Sequence, residues 1–182
     1  MTSFLDLASH RRSIRKYTDE PIKDDDIKKI MQAALMSPAS KRCNPWEFVV
    51  VTDSSVLRNM SGCRTYGSAM LAEAAAAIVV CVDASLTDTW QCDGAIAAQQ
   101  MLLEAADIGL GACWVQVYGR MVKDISTASA ENMSAEQLIR ELCNIPERLQ
   151  VLCIVSLGHP DEERKPRELD KLQYEKIHYG QY

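Results

Sequence analysis

SPASKRCNPWEFVVV, Ser37 to Val51, carries the chain from the end of a helix, through a polar loop, into a buried strand. The residues before it, DDDIKKIMQAALMS, place Ile27, Ile30, Met31, Ala34 and Leu35 at helical spacing. Their aspartates fall in the first turn, where the helix dipole favours negative charge. Ser37-Pro38 stops that helix, and the β-rich run Glu47 to Asp53 reads as a strand. The loop between them offers small side chains and open backbone amides, which suit a flat polar ligand.

Upstream of this helix lies RRSIRKYTDEPI, Arg11 to Ile22, which gathers Arg11, Arg12, Arg15 and Lys16 around one serine in an otherwise acidic chain. Like charges this close repel by a few tenths of a kcal/mol per exposed pair, so an offsetting partner is expected. Ile14 and Tyr17 are too apolar for a solvated tail. Before the cluster, Ser3-Phe4-Leu5-Asp6 resembles a capping box that opens a short helix ending near His10.

Downstream, AIVVCVD (Ala77–Asp83), ACWVQV (Ala112–Val117) and LQVLCIVSLG (Leu149–Gly158) read as three further strands. CDGAIAAQQMLLEAADIGLG, from Cys92, reads as a long alanine-rich helix stopped by Gly109, with Ile96, Leu103 and Ile108 as its apolar positions. Its small residues suit close packing at a centre or a dimer interface. SAEQLIRELC is a helix opened by the Ser134–Gln137 box, and residues 162–182 form a charged, tyrosine-bearing tail that wraps a surface or a partner.

The chain of 182 residues, 47% hydrophobic and 25% charged, is expected to form a single domain over 1–182. Its net charge of -5 argues against nucleic acid or an anionic membrane as a partner. The longest apolar run, Ala74 to Val82, is too short to span a bilayer, and SFLDL near the start lacks a signal-peptide pattern; a cytoplasmic protein is expected. The seven cysteines form no C-x-x-C pair and read as buried free thiols, and the three histidines show no zinc-ligand spacing, so no metal is expected. GLGACW at Gly109 follows a helix and precedes a strand, the reverse of a dinucleotide loop, and no G-x-S-x-G nucleophile elbow occurs. Trp46 and Trp114 suit a core as well as a ligand.

RRSIRKY, SPASKRCNPW, GLGACWV and IPERLQVLCIVSLGHP followed by RKPR, in that order across nearly the whole chain, resemble the nitroreductase family of FMN-dependent flavoproteins. The resemblance implies an α+β fold, a central, mostly antiparallel sheet flanked by helices, assembled as an intertwined homodimer with two FMN sites at its interface. It assigns Arg11, Ser13 and Arg15 to the FMN phosphate and ribityl chain, with a backbone contact from Arg12. Pro38, Ala39 and Ser40 match the loop that approaches the flavin from the other subunit. Lys165 and Arg167 match the basic residues placed against the phosphate, and Trp114, Gln116 and Val117 become neighbours of the flavin ring. Where many members have asparagine and then glutamine before Pro-Trp, this chain has Arg42 and Asn44, which changes a contact to the ring, ribityl chain or substrate.

The dianionic phosphate is then the partner that offsets the repulsion in the arginine cluster, and the planar guanidinium fork suits it. The implied activity is ping-pong transfer of hydride from NAD(P)H through the flavin to a small conjugated acceptor such as a nitroaromatic or quinone. No side chain is assigned a proton-transfer role; Arg12 or Arg42 would place positive charge near the pyrimidine edge of the ring. Two other classes remain open at this level: a protein that stores or senses FMN without efficient turnover, and a basic interaction module with no cofactor.

Overall fold

The computed structural model describes residues 3–122 and 133–182. Helix α1 (Phe4–His10) opens with the expected box: Asp6 N–H donates to Ser3 Oγ and Ser3 N–H donates to the Asp6 carboxylate. Helix α2 (Asp24–Leu35) carries three aspartates in its first turn and buries Ile30 and Ala34 completely. Strand β1 (Trp46–Val51) ends early because Asp53 turns the chain into α3 (Ser54–Met60), accepting the N–H groups of Ser55 and Val56. The strand thus stops two residues short of the expected Asp53, and α3 is an element that the sequence pattern does not announce.

Strand β2 (Ala76–Asp83) leads to helix α4 (Trp90–Asp107), which starts slightly earlier than expected. Gly109, at φ +80°, closes it: Gly109 N–H donates to Ala106 O and Leu110 N–H to Ala105 O. The chain doubles back there into β3 (Gly111–Gln116), so β3 runs against α4. Trp90 at the start of α4 consequently meets Tyr118 just beyond β3, edge to face with ring centroids 4.8 Å apart. Ile96 faces outward rather than into the core. In α5 (Ala135–Cys143) Ser134 accepts from Gln137 N–H, but the Gln137 amide donates to Glu141, so only half of the expected box forms. The last strand, β4, spans Leu149–Gly158.

The four strands form one antiparallel sheet in the order β1-β2-β4-β3. Helices α3 and α5 pack on one face against Val79, Cys81, Val115, Val151 and Ile154; α2 and α4 cover the other against Ile78, Val80, Val82, Leu152 and Val155. Both faces of the central strands are therefore dry, which is why β2 reads as an unbroken apolar run instead of alternating. Gly94 makes the α4 side possible, since a Cβ there would lie 2.7 Å from Leu152 and 2.8 Å from Val82. The architecture is the expected α+β sheet flanked by helices.

The basic segment lies along the outer edge of β3. Ser13 bridges Ala112, with Ile14 N–H donating to Ala112 O at 3.0 Å. Ile14 and Tyr17 turn inward onto Gly111 and Gly158, which face each other across β3 and β4. A Cβ on Gly111 would come within 2.8 Å of Ile14, and one on Gly158 within 2.6 Å of the Tyr17 ring. Tyr17 hydroxyl donates to Ile14 O at 2.7 Å and also contacts Ser156 Oγ at 2.7 Å, while burial pushes its ionisation upward. Thr18 N–H donates to His159 O and Asp161 N–H to Lys16 O, tying the start of the tail to the same segment.

Gly158→Ala is expected to destabilise the protein by about 1–3 kcal/mol through this overpacking. Urea unfolding measures it, with Gly62→Ala as the control, because a Cβ there meets nothing closer than 3.6 Å. Equal stability of the two variants would refute the seating of Tyr17.

Candidate functional site

Arg11, Arg12, Ser13, Arg15, Arg164 and Arg167 converge on one cavity of about 210 Å³. Five guanidinium groups and a hydroxyl line it, and no carboxylate does. Ser13 and Arg15 are placed by the edge pairing with β3. Arg167 is placed by its N–H, which donates to Ser9 O at 3.0 Å beside the end of α1. Glu162 supports the cluster from behind: it accepts Arg15 N–H at 2.6 Å and pairs with Arg164. Those donors, Arg15 N–H first and Arg164 after it, hold the Glu162 carboxyl below the usual glutamate range.

Lys165, expected beside Arg167, is not brought into this cavity. Its side chain does not line the cavity; its carbonyl accepts a hydrogen bond from the Arg12 guanidinium, and Arg164 lines the cavity in its place. Neighbouring residues of an extended chain point to opposite sides. The pairing of Asp161 and Glu162 with Lys16 and Arg15 selects which side Arg164 takes, and nothing local to RKPR shows that choice.

Trp114 and Gln116 lie two and four residues beyond Ala112 on the same face of β3, partly exposed, with Trp114 Nε1 donating to Gln116 Oε1 at 3.0 Å and the Gln116 amide to Tyr118 O. They follow the arginine cavity along the strand at roughly 7 and 14 Å. Val117 turns to the opposite face and is fully buried, so its side chain does not share a surface with Trp114 and Gln116. Trp46 is a core residue.

Pro38, Ala39 and Ser40 stand elsewhere, at the opposite end of α4. Ser40 N–H donates to Asp93 in the first turn of α4, whereas His10 and Asp107, together at its last turn, lie next to the arginine cluster. The fourteen residue steps from Asp93 to Asp107 span about 21 Å of helix. Within one chain the loop and the arginine cavity therefore do not meet. Lys41, Arg42 and Asn44 all adopt left-handed backbone, with φ of 52°, 55° and 43°. Each costs about 1–2 kcal/mol for a non-glycine residue, least for asparagine, and Pro45 helps by disfavouring the right-handed helical region at Asn44. Arg42 and Asn44 are exposed. Ser37 Oγ, at the head of this loop, is buried without a hydrogen-bond partner among the described residues.

A sequence model of the Nitroreductase family matches residues 8–91 and 66–159. The chain belongs to the nitroreductase family. An Archaeoglobus fulgidus protein named provisionally as an NADH dehydrogenase/NAD(P)H nitroreductase is 40% identical over 183 residues, which cover 98% of each chain. A Vibrio harveyi NADPH-flavin oxidoreductase is 31% identical over 92% of this chain and 70% of its own. Among solved structures, an FMN-dependent nitroreductase of Clostridium difficile superimposes with a TM-score of 0.92 at 40% identity, covering 98% of this chain and 100% of the other. Among the described residues no cluster of histidine, cysteine and acidic groups is suited to a metal ion, and no helix is long and apolar enough to cross a membrane.

The cluster is electrostatically unsatisfied by the chain itself. Burial first, then Arg167 and Arg12, holds the Arg11 guanidinium below the usual arginine range. A depressed arginine means that its charged form is disfavoured on folding, so Arg11 opposes stability throughout the neutral range, a cost that a bound anion would offset. Inorganic phosphate is therefore expected to raise the melting temperature of this nitroreductase-family protein, freed of flavin, beyond chloride at equal ionic strength. The gain approaches about 2.7 kcal/mol at a hundredfold excess over Kd. Arg11→Gln is expected to equal or exceed the parent in stability without phosphate and to lose most of the response; a full response in that variant would refute the assignment.

Proposed function

We propose that the protein is an FMN-dependent oxidoreductase that passes hydride from NAD(P)H to a small conjugated acceptor in a ping-pong cycle. The observation that carries this reading is the arginine-lined cavity where the basic segment pairs with the outer edge of β3. Its donors fit a phosphate monoester, being cationic or hydroxylic, with Glu162 engaging only Arg164 among the lining guanidinium groups. Beyond it, Trp114 and Gln116 offer an indole and an amide along the same exposed edge. Bound FMN supplies the two-electron chemistry that no side chain of this chain provides.

The chain's own residues bind and orient. Arg11, Arg12, Ser13, Arg15, Arg164 and Arg167 would hold the phosphate, and Trp114 and Gln116 would flank the ribityl chain and ring. Val117, buried in the core, is left with no side-chain role in this reading. Pro38, Ala39, Ser40, Arg42 and Asn44 would reach the flavin of a second subunit, because they stand about 21 Å along α4 from their own arginine cavity. A homodimer is supported further by unburied apolar groups: Phe4 and Leu5 on α1, Ile96 on α4, and Leu169, Leu172, Tyr174 and Ile177 in the tail. The buried, unpartnered Ser37 Oγ at the head of the loop is consistent with a partner that one chain does not supply.

The purified protein is expected to show the oxidised-flavin absorbance band and to bleach on adding NAD(P)H anaerobically. Riboflavin, lacking the phosphate, is expected to bind far more weakly than FMN, each lost charge-assisted hydrogen bond contributing roughly 1.5–3 kcal/mol. Equal affinity for the two flavins in a fluorescence titration would refute the phosphate site, and bound flavin that NAD(P)H never bleaches would favour storage over turnover.

Assembly gives a separate check. If each flavin needs the partner's Pro38–Ser40 loop, flavin release on dilution is expected to follow dimer dissociation. Light scattering coupled to absorbance that finds a fully flavinated monomer would refute the shared site.

A further inference from the structure

We propose that Asp93 is a positioning residue whose buried carboxylate latches the Ser40–Asn44 loop in the strained shape that meets the flavin ring; this rests on the reading of that loop as a flavin contact. Asp93 is only 3% exposed, yet among the described residues no cationic side chain pairs with it. An unpaired buried carboxylate is a costly feature unless its acceptor capacity is used. Its uses are specific. Oδ1 accepts Ser40 N–H at 2.9 Å, and Oδ2 faces the Thr89 hydroxyl at 3.5 Å, which in turn contacts the buried Thr87 hydroxyl at 3.0 Å. The position of Asp93 in the first turn of α4 adds the favourable end of the helix dipole.

The Ser40 N–H is the last backbone donor before the left-handed run at Lys41 and Arg42. Such conformations persist only where the surroundings over-determine them, and they gather where a loop must present its backbone to a ligand. The other ties are weak: Lys41 reaches the exposed Asp88 at 3.8 Å, and Arg42 N–H and Cys43 N–H bond only to Ala39 O and Ser40 O inside the loop itself. Among the described residues Asp93 is thus the one buried anchor from outside the loop on which the Ser40 end of the run depends. A carboxylate suits the task because it accepts without donating, so it fixes an N–H group more strongly than a neutral acceptor would.

The test begins with protein freed of flavin, so that the latch is measured apart from cofactor binding. Amide hydrogen exchange across residues 38–44 is expected to quicken about tenfold in Asp93→Ala and less in the near-isosteric Asp93→Asn, which keeps an acceptor and carries the test if the alanine variant does not fold. In the flavin-loaded dimer, the same variants are expected to change the visible circular dichroism of the flavin and to slow its reduction by NAD(P)H by about tenfold in Asp93→Ala. Discrimination of FMN over riboflavin is expected to stay at the parental value, because the arginine cavity lies at the far end of α4. Parental exchange rates in both variants would overturn the latch itself. Faster exchange with an unchanged flavin spectrum and rate would overturn its link to the ring. Failure of the parent protein to bind FMN at all would overturn the functional reading and, with it, the flavin half of this proposal, while the exchange result would still report on the latch.

Discussion

Two glycines that face each other across neighbouring strands decide where the rest of the molecule can put its charge. Gly111 and Gly158 leave a floor without side chains, and Ile14 and Tyr17 fill it at distances no Cβ would permit. Burying those two residues pins an otherwise repulsive basic segment to the rim of the sheet. Because alternate residues of an extended segment face opposite ways, seating Ile14 leaves Ser13 and Arg15 turned outward together. The same seat receives the tail: Asp161 and Glu162 bind the backbone of Lys16 and Arg15, and this brings Arg164 and Arg167 round to Arg11 and Arg12. Residues some 150 positions apart in sequence become one cavity wall through a contact that is itself apolar.

The charge gathered there has no counterpart inside the cavity. Glu162 stands behind the arginines and orders two of them, but it does not neutralise five, and the acidic excess of the chain lies elsewhere. Folding therefore accepts an electrostatic penalty at one spot and offsets it with hydrophobic burial on both faces of the sheet. In the proposed reading such a site is preorganised: the repulsion is already present in the free protein, so an arriving dianion would gain the attraction without first having to assemble its donors. At the other end of α4 the same logic is carried by backbone instead of charge, with left-handed residues held in a loop that small side chains leave open.

Much of this was legible from local pattern. The strands around Val49, Val79, Val115 and Ile154 announce themselves through β-branched runs, α1 through its capping box, and the end of α4 through Gly109. Helix α3 was missed because it is only seven residues long and its signal, Asp53 followed by two serines, also reads as a turn. The Gln137 half of the α5 box failed because Glu141, one turn on, offered its amide another partner. Val117 was grouped with Trp114 and Gln116 because all three sit in one apolar run, although the alternation of a strand sends Val117 to the opposite face.

What the sequence determined by itself is the kind and order of elements and the basic cluster, since these rest on periodicity, caps and composition within short windows; the family, and the anion it implies for the cluster, came from the likeness of four short motifs. Tertiary structure alone decided that Arg164 and not Lys165 faces the cavity, that the Pro38–Ser40 loop stands at the wrong end of α4 to serve its own chain's arginines, and that Asp93 holds Ser40 from 53 residues away. These depend on strand register and helix length acting between segments far apart in the chain. A register shift of one residue would exchange Arg164 for Lys165 at the cavity without altering a single local preference.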